Sequence, residues 1–343
     1  MKFCLLNLWP PCRHDKSNWL SSDKWRAQKE GALGFTASLI QTRGDWSWYK
    51  SVFSFGGWAA QEICWLCAAT QHTGDYPYTE VDMNAKWRSK RYKPGEFIAK
   101  MKRLGVAISP LLFSPGMDSS FLTIDVLHAV DLGFSLDAMG HFMWHLVSSN
   151  CGFLHGSTIG DRVASLWKRT NAVYKEFKTP CRLQTLTREM IKSTKKSGKH
   201  PKAKAKGSES RHLIPIMVRI ANDFAKACPS TCASTIAALL LLDYQKVMST
   251  AEFDQAELST CCRQALILYK SLGWCLKPKA HMFQERCEYV ADLHGNPANY
   301  WTYRDESFVG FVAACASSRG GGRMPATMAL SVLQRFRALS GVA

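Results

Sequence analysis

A carboxylate at Asp45 and a Cys-x-x-Cys pair at Cys64 and Cys67, nineteen residues further on, set the chemistry that the rest of the chain has to support. An acid that follows a strand-like segment can hold magnesium for phosphoryl transfer, but such a site needs further carboxylates. Two thiols at this spacing make half of a tetrahedral zinc site, which takes about four ligands in all. Both groups must therefore be completed from elsewhere. A second pair, Asp125 and His128 in the run Ile124-Asp125-Val126-Leu127-His128, falls on one helical face, where it could share a metal, a hydrogen bond or a substrate phosphate. Each signal also has an ordinary structural use: an Asp after a strand often serves a turn, and an Asp–His pair is often a plain polar contact.

The elements that would carry these residues can be read from pattern. Gly34 to Gln41 is a short β-compatible run ended by Gly44, which sets Asp45 at the C-terminal end of a strand, where open α/β sheets place their catalytic groups. From Gly133 to Leu146 apolar residues recur at helical spacing (Leu136, Met139, Phe142, Met143, Leu146) and read as core. Three helical patterns follow, Leu213 to Cys228, Thr231 to Met248 and Ala251 to Leu272, with Gly273 as the expected C-cap of the last. A helix from about Arg304 would carry Glu306 in its first turn, Ser318 to Arg323 breaks it, and Ala326 to Leu339 resumes helical spacing. The fold class expected is α/β with a large, mainly helical insertion.

Charge and composition narrow the partners. At 343 residues and 46% apolar the chain can bury a sizeable core. The net charge is +17, and Asp161 to Lys206 alone holds fourteen Lys and Arg against three acids, which suits a polyanion such as nucleic acid and, on charge alone, a solvated linker equally. Within Lys86 to Arg103, Trp87 and Tyr92 interleave with Lys86, Arg88, Lys90, Arg91 and Lys93, a mixture suited to phosphate contact with base or sugar stacking; a surface helix with snorkelling lysines gives the same pattern. Lys192 to Gly207 is low-complexity, and a flexible basic loop bearing Lys195, Lys196, Lys199, Lys202, Lys204 and Lys206 is expected there. Thirteen irregularly spaced cysteines do not form a disulfide framework in a chain this long, so a reducing compartment is expected. Met1 to Leu8 is stopped by Pro10-Pro11 without a small-residue cleavage site, so no secretory leader is expected, and no run approaches the roughly 18 apolar residues of a membrane span.

Taken in order, the acid Asp45 after Arg43-Gly44, the segment Ile63-Cys64-Trp65-Leu66-Cys67-Ala68-Ala69-Thr70, the Ile124 to His128 run, and the stretch from His281 to Glu306 resemble the DDE transposases of the CACTA type and their relative, the core of the V(D)J recombinase. The resemblance implies an RNase H-like sheet interrupted by a helical insertion. Residues 1–70 would be a partial catalytic core, 71–295 the insertion, and 296–343 the closing helices with the last acid. It further implies that Asp45 is the second catalytic acid, that Glu306 is the third, and that Mg2+ is the catalytic metal. Cys64, Cys67 and His281 would bind a structural Zn2+. The family's second histidine is replaced here by Gln284-Glu285-Arg286-Cys287, and Cys287 is the expected substitute.

The first acid of the family lies on a strand well before the second, yet only 44 residues precede Asp45, and Asp15 and Asp23 lie in polar, loop-like sequence. An N-terminally truncated copy is therefore expected, with Asp125 as the substitute if a third acid is present. Two carboxylates cannot fix both ions of a two-metal site, so cleavage and strand transfer should be weak or lost. The implied partner is DNA and the implied location the nucleus of a eukaryotic cell, with homodimerisation and no membrane. The alternative is a non-enzymatic, zinc-stabilised nucleic-acid-binding or scaffold protein in which Asp45 and Glu306 are structural. A purely helical protein with incidental cysteines leaves the motif order unexplained.

Overall fold

The computed structural model describes residues 42–93, 95–113, 117, 119–149, 151–192, 200–228, 244–249, 252–303, 310 and 334. The strand expected over 34–41, Glu306, Lys195, Lys196, Lys199 and most of the helices expected over 326–339 and 231–248 lie outside them. Among the described residues the chain is mainly helical, with one sheet of two parallel strands.

Strand β1 (Thr42–Gly44) pairs in parallel with β2 (Leu122–Ile124), Gly44 standing opposite Ile124. Asp45 and Asp125 each follow the last residue of their strand, so the two acids leave the same end of the pair. Gly44 is needed at its position because a Cβ there would lie 2.6 Å from the Trp48 indole. Asp45 then starts helix α1 (Trp46–Phe53), its carboxylate accepting from the Trp48 N–H at 2.6 Å and satisfying an N-terminal donor that the helix cannot. α1 buries Trp46, Tyr49 and Phe53. The Tyr49 hydroxyl lies 2.8 Å from the Thr42 carbonyl and 2.9 Å from that of Thr123, tying α1 to both strands.

The expected core helix is present as α3 (Ser135–Ser148), after α2 (Glu96–Arg103). It is preceded by a wide turn, Leu127–Phe134, which departs from helical geometry at Gly133. Two long helices pack with it, α4 (Ile159–Glu176), opened by a reciprocal Thr158–Asp161 capping box, and α6 (Gly207–Ala227). Between them lies the short α5 (Arg188–Ile191). α7 (Gln255–Ser271) is capped by Asp254, and Gly273 follows it at φ +72°, as the sequence predicts for a left-handed C-terminal stop. α8 (Pro278–Glu285), with Pro at its first position, runs through a π-helical turn (Arg286–Val290) into α9 (Ala291–His294).

The basic stretch differs from the expected loop over its described half. Lys202 and Lys204 donate their N–H groups to the carbonyls of Ile191 and Met190, and the Ala203 N–H reaches that of Leu136 at 2.8 Å. Small Ala side chains alternating with Lys let this segment lie flat on α3. Gly140 makes room for it, since a Cβ there would sit 2.4 Å from the Lys202 Cα. No helix among the described residues is long and apolar enough to cross a membrane.

Candidate metal clamp and strand-end acids

Cys64 and Cys67 lie on a tight knuckle built by backbone pairing. The Ile63 N–H bonds the Ala69 carbonyl at 3.0 Å, closing the turn, and the Leu66 N–H points at the Cys64 sulfur at 3.3 Å. The knuckle is held from outside by Ala68 N–H to the Lys90 carbonyl and Tyr92 N–H to that of Leu66, both at 3.0 Å. The Trp65 indole N–H donates to the Leu122 carbonyl at 2.6 Å, fixing the knuckle to β2.

His281 and Glu285 come from α8, one helical turn apart and so on the same face. That face meets the knuckle. The His281 Nε2 lies 3.4 Å from the Cys67 sulfur and 3.7 Å from the Glu285 Oε1. One donor atom from each of Cys64, Cys67, His281 and Glu285 lies within 4.8 Å of the others, and all four residues are buried. Bond lengths of about 2.0–2.3 Å give a tetrahedral site edges of roughly 3.3–3.8 Å, so the set needs only a small contraction around an ion. The donors also have capacity to spare: the buried Glu285 Oε1 has no hydrogen-bond partner among the described residues, while its Oε2 is held by Arg91. The His281 Nδ1 likewise lacks a hydrogen bond among the described residues, and the ring is fixed by edge-on packing against buried Trp87, centroids 4.6 Å apart.

Burial opposes ionisation of both thiols. At Cys64 the hydrogen bond from Cys67 and the neighbouring His281 outweigh it and bring the thiol down to about 6. At Cys67 burial and the Cys64 charge act together and push the thiol far up. The two thiols thus shift in opposite directions, the first proton leaving more readily than the second, and metal binding would release the protons that remain.

The expected fourth ligand is thus corrected. Cys287 stands six residues after His281, roughly 240° round the helix, and the π turn carries it to the other side of α8. Its thiol is hydrogen-bonded to that of Cys262 in the core. Among the described residues it is Glu285 that completes the donor cluster.

At the strand ends, Asp125 is fully buried and both its oxygens are engaged. Oδ1 accepts from the Thr302 hydroxyl at 2.6 Å, and Oδ2 accepts from the His128 Nδ1 at 2.7 Å. Burial works against its charge, but these bonds and the Arg286 guanidinium outweigh it and hold the carboxyl below the ordinary carboxylate range. The His128 Nε2 then faces Asp45, 4.0 Å from its Oδ2. The geometry makes Asp125 the residue that orients His128, and Asp45 and His128 the pair nearer to solvent. Sequence spacing found the Asp125–His128 contact but neither Thr302 nor Arg286. Arg286 is buried against the Tyr300 ring at 4.3 Å, and its three guanidinium nitrogens find no hydrogen-bond acceptor among the described residues.

The predicted basic face splits in two. Arg88 is bidentate to Glu288, and Arg91 pairs with Glu285 and lies over Tyr289 at 4.2 Å, so both guanidiniums hold the knuckle side to the far end of α8. Lys86, Lys90 and Lys93 remain exposed. Of the later lysines, Lys204 and Lys206 are exposed, whereas Lys202 joins Lys277 around Asp137. Comparison with protein-family models, characterised proteins and solved structures finds no match to this chain.

Proposed function

We propose that this chain is a transposase-like DNA-binding core, related to enzymes that cleave and join DNA by two-metal phosphoryl transfer. On this reading a structural zinc ion held by Cys64, Cys67, His281 and Glu285 clamps the helical layer to the strand pair, and the two strands are part of an RNase H-like sheet. The observation that carries the reading is the meeting of residues 214 apart in sequence: Cys67 and His281 share one buried donor cluster, in the order that the family resemblance implies. Asp45 at the end of a parallel strand is consistent with a catalytic acid that would hold magnesium together with Glu306. Asp125, with both oxygens engaged, serves His128 rather than a metal. The chain would bind DNA as a homodimer, in the nucleus of a eukaryotic cell, with little cleavage of its own.

The test is to titrate purified, metal-loaded protein onto duplex DNA across a salt series and to assay plasmid nicking with magnesium. Binding that weakens steeply with salt, with little nicking, supports the reading. Absence of binding at low salt contradicts it. A second reading, a zinc-braced scaffold without DNA chemistry, is favoured by Arg88 and Arg91, two of the five cations in the 86–93 face, which turn inward onto Glu288 and Glu285. Robust nicking abolished by Asp45→Asn would exclude that second reading.

A further inference from the structure

One more pair of reactive side chains meets across a long stretch of sequence. Cys151 lies in the segment after α3 and Cys228 at the C-terminal end of α6, 77 residues apart, and both are reduced. Their thiols are hydrogen-bonded to each other, and the Cys228 thiol also reaches the Cys151 carbonyl at 3.8 Å. Cys151 is exposed and Cys228 is buried. Their surroundings are held in place independently of the sulfurs. Phe153 packs edge-on against Phe224 with centroids 5.2 Å apart, Arg169 lies over the Phe153 ring at 4.3 Å, and Arg169 donates to the Phe153 carbonyl at 3.0 Å.

That asymmetry is what a peroxide-sensing pair requires, an accessible thiol to be oxidised and a sheltered one to resolve it. The Cys151 thiol is also shifted toward its thiolate: partial burial opposes this, but hydrogen bonds from Cys228 and Ser149 prevail. The other cysteines among the described residues lack the arrangement. Cys262 and Cys287 are both buried, while Cys181 and Cys275 contact a serine hydroxyl and a carbonyl.

We propose that Cys151 and Cys228 form a reversible redox disulfide with a peroxide as the oxidant. The Cys151 thiolate attacks one peroxide oxygen, forming an S–O bond as the O–O bond breaks; the departing hydroxide takes up a proton and leaves as water. The Cys228 sulfur then attacks the Cys151 sulfur, giving up its proton, and the S–O bond breaks to release a second water. The thiols lose two electrons and two protons in all, and hydrogen peroxide becomes two waters. A dithiol reverses the bond by exchange.

The test uses the full metal-loaded chain, treated with hydrogen peroxide, alkylated with N-ethylmaleimide and digested without reductant for mass mapping. The expected product joins the Cys151 and Cys228 peptides within one chain, lighter by the two hydrogens lost, and is reversed by dithiothreitol. It disappears in Cys151→Ser and in Cys228→Ser, and in the latter Cys151 is trapped by a sulfenic-acid reagent. Circular dichroism checks that both variants fold. Cross-linking of Cys151 to Cys181 or Cys275, cross-linking between chains, or oxidation of Cys151 in wild type without a bond to Cys228 would overturn the proposal.

Discussion

The knuckle–α8 clamp and the strand-end acids are built from the same kinds of side chain, yet they spend them differently. At the clamp, four buried donors converge and the Glu285 Oε1 has no hydrogen bond among the described residues, so an ion would satisfy it. At the strand ends, Asp125 has both oxygens bonded, and the His128 ring that it holds is turned toward Asp45. The first arrangement has donor atoms left over for a ligand; the second is largely complete without one. A buried polar group costs free energy until it is paired, so unspent donor capacity, more than residue type, separates a binding site from a structural contact.

The sharpest way to break this contrast is at the clamp. Cys64→Ser or Cys67→Ser should release the metal and with it the stabilisation that binding confers, about 4 kcal/mol where free metal is near 1,000 times Kd. Thermal melts with and without a chelator would check this, and the variants should melt like the chelated wild type. Close behind, Glu285→Gln should lose the metal while Cys287→Ala keeps it, as read by metal analysis of the purified proteins; the opposite result would restore Cys287 as the ligand.

An effect of up to a few kcal/mol is expected beside the strand-end site, at Asp131. Burial, with Asp125 nearby, raises this carboxyl to about 7 against the partial relief from Tyr303 and Arg211. Between pH about 4 and 7 the folded state therefore holds a proton that the unfolded chain has released. Stability falls as pH rises through that window, and the penalty is complete above 7. Asp131→Asn should flatten this slope in urea melts run from pH 4 to 8; an unchanged slope would contradict the assignment. Smaller still, Arg91→Ala should weaken metal affinity roughly 10-fold by freeing the Glu285 Oε2, which isothermal titration can read. Lys90→Ala should lower the salt slope of DNA binding by no more than about 0.9, the value for one phosphate contact.

Much of this was legible in the sequence wherever the signal is local. Helical spacing marked α3, Gly273 marked the end of α7, and the Cys-x-x-Cys pair marked the knuckle. The three-residue step from Asp125 to His128 marked their hydrogen bond. The failures are non-local. Glu285 reads as one more surface acid until the turn of α8 sets it beside His281. Arg88 and Arg91 read as a nucleic-acid face because Glu288 and Glu285, their partners, lie about 200 residues away. The low-complexity lysine stretch read as loop because composition does not show that Gly140 leaves a track for its alanines.

The most direct measurement is zinc-edge X-ray absorption on the purified protein, combined with metal stoichiometry. One zinc per chain with two sulfur, one nitrogen and one oxygen neighbour, lost in Cys67→Ser, is the predicted result. No bound zinc, or a site of three sulfurs and one nitrogen, would contradict the clamp formed by Cys64, Cys67, His281 and Glu285.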